Sequence, residues 1–217
     1  EQPYQLEIER IGGASRPALS VAEMAERACH RMVEDVPLYY WFSRLWMGLP
    51  PNEMRAPRRS GAVGGLVTQA ASSGVFRLAE DEAAIITFGA AGAAYAGIVC
   101  YDWWYRSIDA RNRQSSLTRV SAEPDVDGLF RCVLSAFDPG IANWLDSSGL
   151  PVVGTCFRWQ GLPDTVRDED LVLTAKIVKR SEIGANLPAG TRRVSEDERI
   201  ACAAARAEAY DRRLISN

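Results

Sequence analysis

The sequence predicts a mainly β fold with flanking helices (α+β), an antiparallel jelly-roll-like β-sandwich. Three observations predict it. From Val75 onward, short apolar segments alternate with turn signals, the texture of sequential strands. Nothing helical separates those segments, so the crossovers that a parallel sheet needs are missing. A capping signature opens an apolar-periodic helix near each end of the chain.

The elements follow in order. Gln5-Leu6-Glu7-Ile8-Glu9 alternates polar and apolar as a strand does. Ser20-Val21-Ala22-Glu23 is a capping box, and Val21, Met24, Ala25, Ala28, Met32 and Val33 then share one helical stripe. That helix is expected to stop near Pro37. Residues 38–49 hold Tyr39, Tyr40, Trp41, Phe42 and Trp46; they read as a short helix whose aromatics fill the edge of the core, or as an aromatic wall around an apolar ligand. Residues 50–74, rich in Pro and Gly, read as a long loop with one short helix at 66–71, a lid or a connector. Strands are expected at 75–78, 83–88, 94–101, 117–123, 129–136, 152–160 and 171–180. Pro124 to Gly128 reads as the turn between the fourth and fifth of these. Ser195-Glu196-Asp197-Glu198 opens the last helix, which continues from Ile200 to Leu214. The domain reading is one compact domain in three stretches: strand, helices and loop at 1–74, sandwich at 75–193 and helix at 194–217.

Composition narrows the function. The 217 residues are 47% hydrophobic and 24% charged, with a net charge of −3, a globular balance that predicts no general affinity for nucleic acid or anionic lipid. No apolar run approaches the roughly 20 residues of a membrane helix. Cys29, Cys100, Cys132, Cys156 and Cys202 are scattered and never form C-x-x-C, so they read as reduced buried thiols in a cytoplasmic protein. One histidine, His30, and dispersed cysteines cannot build a usual zinc site. Gly61, Gly64 and Gly65 match neither phosphate-loop pattern. No metal or cofactor is therefore expected. Any acid–base chemistry would fall to Asp, Glu or Tyr. The basic run Arg55 to Arg59 reads as a solvated loop.

Two stretches concentrate aromatic and ionisable side chains. Residues 101–117 carry Tyr101, Trp103, Trp104, Asp109, Arg111 and Arg113; residues 138–149 carry Asp138-Pro139-Gly140, Asn143, Trp144 and Asp146. Asp109 is expected to pair with Arg111 or Arg113, and Asp146 to meet Arg158 across the fold. An arginine left facing a cavity would instead hold an acidic ligand. Asn143 and Asp146 read as a cap or brace for the loop that follows them, and Trp144 as a ring buried against the sheet.

The patterns Trp104-x-x-Ser107-x-Asp109-x-Arg111-Asn112-x-Gln114-Ser115-Ser116-Leu117 and Asp138-Pro139-Gly140-x-x-Asn143-Trp144-Leu145-Asp146-x-x-Gly149, with Gly154-Thr155, Phe157-Arg158-Trp159 and 76–83, resemble a bacterial family catalogued as domain of unknown function twelve-fourteen. The likeness covers 74–193. It implies a jelly-roll-like β-sandwich that often forms the C-terminal half of a two-part protein, with residues 1–10 then resembling the last strand of the preceding half. Relatives often carry a histidine where Leu150 stands here, so a role resting on that histidine does not carry over.

The leading expectation is an enzyme or enzyme subunit of lyase, isomerase or hydratase type, acting on a small, partly apolar metabolite. Its pocket would have Asp109, Asp146 and Arg111 as catalytic groups and Tyr101, Trp103, Trp104, Arg113, Asn143, Trp144 and Arg158 around the ligand. The alternative is a non-catalytic ligand-binding or assembly domain, docking a partner chain, the missing half or a second copy through 38–49 and the last helix.

Overall fold

The computed structural model describes residues 7, 9, 11–13 and 17–215; the predicted strand at 5–9 falls largely outside them. The chain divides into two compact units, Glu1–Tyr39 and Tyr40–Asn217. Helix α1, Val21–Met47, spans the division. Its capping box forms as read: Glu23 N–H donates to Ser20 Oγ, and Ser20 N–H donates to Glu23 Oε2 at 2.8 Å. The apolar stripe of Val21, Met24, Met32 and Val33 is exposed.

The helix does not stop at Pro37. Proline removes one backbone donor, but packing around residues 42–47 carries the helix on. Ser43 and Met47 are fully buried, with Met47 Cε against the space over Gly154. Phe42 and Trp46 hold Tyr105 at centroid distances of 5.2 and 5.4 Å. The remaining aromatics do not fill a core edge: Tyr39, Tyr40 and Trp41 are exposed.

Two sheets make up the second unit. The first runs in the order β1 (Glu53–Met54), β3 (Ala70–Phe76), β9 (Val153–Gln160), β5 (Tyr95–Tyr101), β6 (Ser116–Thr118), with β2 (Arg58–Arg59) also on β3. The second runs β10 (Leu173–Lys179), β4 (Glu82–Phe88), β7 (Phe130–Ser135), β8 (Trp144–Asp146). The expected loop at 50–74 is therefore largely structured, with β1, β2 and a 3-10 turn at Ser60–Val63 leading into β3. Arg59 is no solvated charge either; its guanidinium donates to the carbonyls of Val67, Pro163 and Val166.

Among the named strands pairing is antiparallel except β7–β8, which is parallel with Val133 opposite Trp144. The segments at 117–123 and 129–136 do not form a hairpin: β6 pairs with β5 in the first sheet, while β7 pairs with β4 in the second. The turn at 124–128 crosses between sheets.

One core lies between the sheets. Phe88 and Phe130 stack at 4.9 Å, and Phe88 meets Phe157 at 4.6 Å across the sheets. Trp159, fully buried, donates its indole N–H to Gly89 O at 2.8 Å. Burying rings of this size contributes about 1.5–3 kcal/mol each. A second apolar cluster, including Ile85, Val133, Ile141 and Ile183, lies on the opposite face of β4 and β7. Helix α2, Glu196–Ile215, follows its predicted capping box, with Glu198 N–H on Ser195 Oγ and Ser195 N–H on Glu198 Oε2. At the border of the second sheet, β10 shows solvent Thr174, Lys176 and Lys179. Lys176 donates to Asn186 Oδ1, and Lys179 pairs with Asp81 and Glu82.

Candidate functional site

The two polar-aromatic stretches meet. Gln114 Nε2 donates to the carbonyls of Ala142 and Trp144 at 3.0 and 2.7 Å, and Asp146 N–H donates to Gln114 O at 3.0 Å. Arg113 Nη1 donates to Asp146 Oδ2 at 2.9 Å. Asp146 Oδ1 accepts the Ser148 N–H at 2.7 Å, so this buried carboxylate is held at both oxygens. Its expected partner Arg158 is elsewhere, on the outward face of β9, and no ion pair joins them.

The other predicted residues take separate tasks. Asp109 pairs with neither Arg111 nor Arg113. It accepts from the side-chain and backbone N–H groups of Asn112, which lower its pKa below the ordinary carboxylate value. Arg111 instead forks onto Asp211 of α2, at 2.8 and 2.7 Å. Asn143 braces an earlier segment and not the following loop: its Oδ1 accepts Glu123 N–H and its Nδ2 donates to Glu123 O, while Asp146, through the Ser148 N–H, holds the loop that follows. Trp144 is half-buried, donates to Ser135 O at 3.2 Å and lies 5.1 Å beneath the Arg199 guanidinium. Trp103 and Trp104 are exposed. Asp109, Arg111 and Asp146 thus do not converge on one cavity, because local turns and α2 supply nearer partners for each.

A cavity of about 490 Å³ does open beside this region, between α2 and the β6 border of the first sheet. Ala110, Gln114, Ser116 and Leu117 line one side; Cys202, Ala205, Arg206, Ala209 and Tyr210 line the other. The volume falls in the range of small-molecule sites, roughly 300–1,000 Å³. Small side chains on the inner stripe of α2 leave the space unfilled. Arg206 is the charged group in its wall. It donates to Ser116 O at 3.2 Å and pairs with no carboxylate among the described residues. Burial lowers its pKa below the ordinary guanidinium value, which marks a cation short of a counter-charge. No carboxylate or histidine lines the cavity.

Of the α2 lining residues the sequence marks only Cys202, as a buried thiol, and it is exposed. The signal was present: 202, 205, 206, 209 and 210 repeat at helical spacing, so they share one face, but their chemistry is plain until the sheet border stands opposite. The thiols divide as buried Cys100, Cys132 and Cys156 and exposed Cys29 and Cys202. Burial pushes Cys100 up to about 12. Among the described residues no helix is long and apolar enough to cross a membrane, and no three His, Cys, Asp or Glu side chains group as metal ligands would.

No family model matches the chain, and no curated protein does. Among solved structures it is similar to an uncharacterised protein from Burkholderia cenocepacia, with 24% identity and a TM-score of 0.66 over 81% of this chain. The chain spans 49% of that protein's length. A Vibrio parahaemolyticus protein matches at 20% identity and a TM-score of 0.41, over 53% of this chain and 32% of its own length. The first likeness is one of fold.

Proposed function

We propose that the chain is a ligand-binding domain, taking a small amphipathic anion in the cavity under α2. The observation that carries this reading is Arg206, a partly desolvated guanidinium without a carboxylate, set in the wall of a cavity whose apolar part is Ala205, Ala209 and Leu117 and whose neutral polar part includes Gln114, Ser116 and Ser121. A carboxylate would restore the counter-charge and the alkyl body would cover the alanines. Binding fits better than turnover, since Asp109, Asp146 and Arg111 are engaged elsewhere and the cavity wall offers no carboxylate or imidazole. The architecture that goes with this reading is a jelly-roll-like β-sandwich of the kind expected for domain-of-unknown-function family twelve-fourteen.

Octanoate is the probe. Cys202 lies in the cavity wall, while Cys29 is exposed on α1. Octanoate is expected to slow iodoacetamide labelling of Cys202 and to leave Cys29 unchanged. At about ten times Kd it contributes about 1.4 kcal/mol, a rise in melting temperature of roughly 3–6 °C. Ala205→Trp, which fills the cavity, removes both effects. Unprotected Cys202 at saturating octanoate defeats the proposal.

A further inference from the structure

A second recognition site follows from the register of β5 against β9. Period-two alternation turns Ala96, Ile98, Cys100, Phe157 and Trp159 into the core. The other set faces outward: Gly97 opposite Arg158, Val99 opposite Cys156, Tyr95 opposite Gln160. These residues and Tyr101 enclose a cavity of about 150 Å³, equal to roughly five waters of liquid volume.

Three features make it more than a gap between side chains. First, a Cβ on Gly97 would stand 2.6 Å from Tyr95 Oη. The hydroxyl therefore occupies the space of the missing side chain, directly across the ladder from the base of Arg158. Cross-strand neighbours stand about 4.5–5.5 Å apart at Cβ, so the phenol lies beside the root of the Arg158 side chain, and both residues line the cavity. Second, Arg158 pairs with no carboxylate among the described residues, whereas Arg111 and Arg113 each hold one and Arg131 holds two. Third, the far wall is flat and fixed. Tyr101 stacks on Tyr105 at 4.4 Å with an interplanar angle of 3°. Tyr105 has a φ of 59°, a left-handed conformation that costs a bulky residue energy. Asp102 builds the turn that holds it, accepting the backbone N–H groups of Trp104 and Arg106 at 2.9 Å. Phe42 and Trp46 pack against its ring as well. Burial raises the Tyr95 and Tyr101 pKa values, which keeps both phenols protonated.

We propose that this cavity holds the carboxylate of a small flat acid, with Arg158 and Tyr95 donating to its oxygens and the Tyr101 ring covering its body. The site is separate from the α2 cavity and does not depend on it. Gly97 is required because any side chain there would push the Tyr95 hydroxyl off the floor.

Benzoate and inorganic phosphate are titrated into the intact protein, and the arginine Nε–Hε resonances are followed by NMR. The Arg158 resonance is identified by its loss in Arg158→Met. Benzoate is expected to shift that resonance saturably. Arg158→Met weakens benzoate binding by calorimetry roughly tenfold or more, and Tyr95→Phe, which keeps the ring, does so severalfold. Phosphate, lacking the flat body, binds more weakly than benzoate. The proposal is overturned if the Arg158 resonance does not move, if the shift falls on Arg206 instead, if phosphate is preferred, or if Tyr95→Phe binds like the wild type. A shift confined to Arg206 would leave the α2 reading standing and remove this one.

Discussion

Arg131 sits between Asp125 and Asp127 at 2.8 and 2.7 Å, and Thr191 Oγ1 donates to the other side of Asp125. The Arg131 side chain, helped by the Leu129 N–H, draws the Asp127 pKa from 3.8 down to about 2. A folded pKa below the unfolded one stabilises the fold above the unfolded value and ceases to do so as pH falls through the folded value. Asp127 therefore contributes fully above about pH 4 and nothing below about pH 2. Asp127→Asn is expected to unfold at lower urea than the wild type at pH 7, with the gap closing between pH 4 and pH 2. A gap that stays constant over that window would contradict the assignment. Such pairs were partly visible in sequence. Asp109 with Asn112 is a local turn, yet the opposite-charge neighbours at 111 and 113 drew the reading towards an ion pair. Arg111 found Asp211 and Arg113 found Asp146 because partner choice depends on which distant element lies alongside, and no spacing rule reports that.

Helix α2 buries no described residue; arginines attach it. Arg199 donates twice to Asp138 and once to Ile141 O, Arg206 reaches Ser116 O, Arg192 joins Glu123 to Glu198, and Arg111 reaches in from the sheet side to Asp211. Attachment of this kind is screened when the Debye length falls from about 10 Å at 0.1 M salt to about 3 Å at 1 M. Amide exchange in α2 is expected to quicken in 1 M NaCl while β9, fixed by ladder bonds on both sides, keeps its protection. Equal insensitivity of the two would show that something other than charge fixes the helix. Both capping boxes were legible because they are contacts over three residues. β8 and β2 were not, since two or three residues carry no periodicity. The start of β3, Ala70-Ala71-Ser72-Ser73-Gly74, was missed for another reason: it lacks the branched and aromatic side chains that mark strands. Glu53 O and Met54 Sδ lie 2.6 and 2.7 Å from where a Gly74 Cβ would be, so close approach of β1 selects a glycine there.

At the scale of the whole molecule, sequence texture identified a mainly β chain and most of its long strands, because β4, β5, β7, β9 and β10 each alternate or run apolar on their own. It did not reveal which strand joins which sheet. β6 and β7, separated by an inviting turn, part company because Leu117 is needed beside Ile98 and Phe130 beside Phe88. The parallel β8 pair needs no crossover helix because the chain from 136 to 143 simply loops back alongside β7. Packing of Phe88 on Phe130 beside it and on Phe157 across the interior decides these partners, and both contacts join residues far apart in the chain.

The lysines on β10 have a role that monomer stability does not record. A sheet border leaves half of its backbone donors and acceptors unclaimed, and another chain can take them up. The opposite border defends itself by being short: β8 ends after three residues, and Ser148 and Gly149, at φ 58° and 69°, turn the chain away. β10 is seven residues long and has no such escape, so its protection rests on two ammonium groups that a second copy would have to dehydrate. Replacing Lys176 and Lys179 together with valine should leave the monomer folded yet make it self-associate into thioflavin-positive material as concentration rises. If the double variant stays monodisperse by light scattering at concentrations where the wild type does, the guard lies elsewhere.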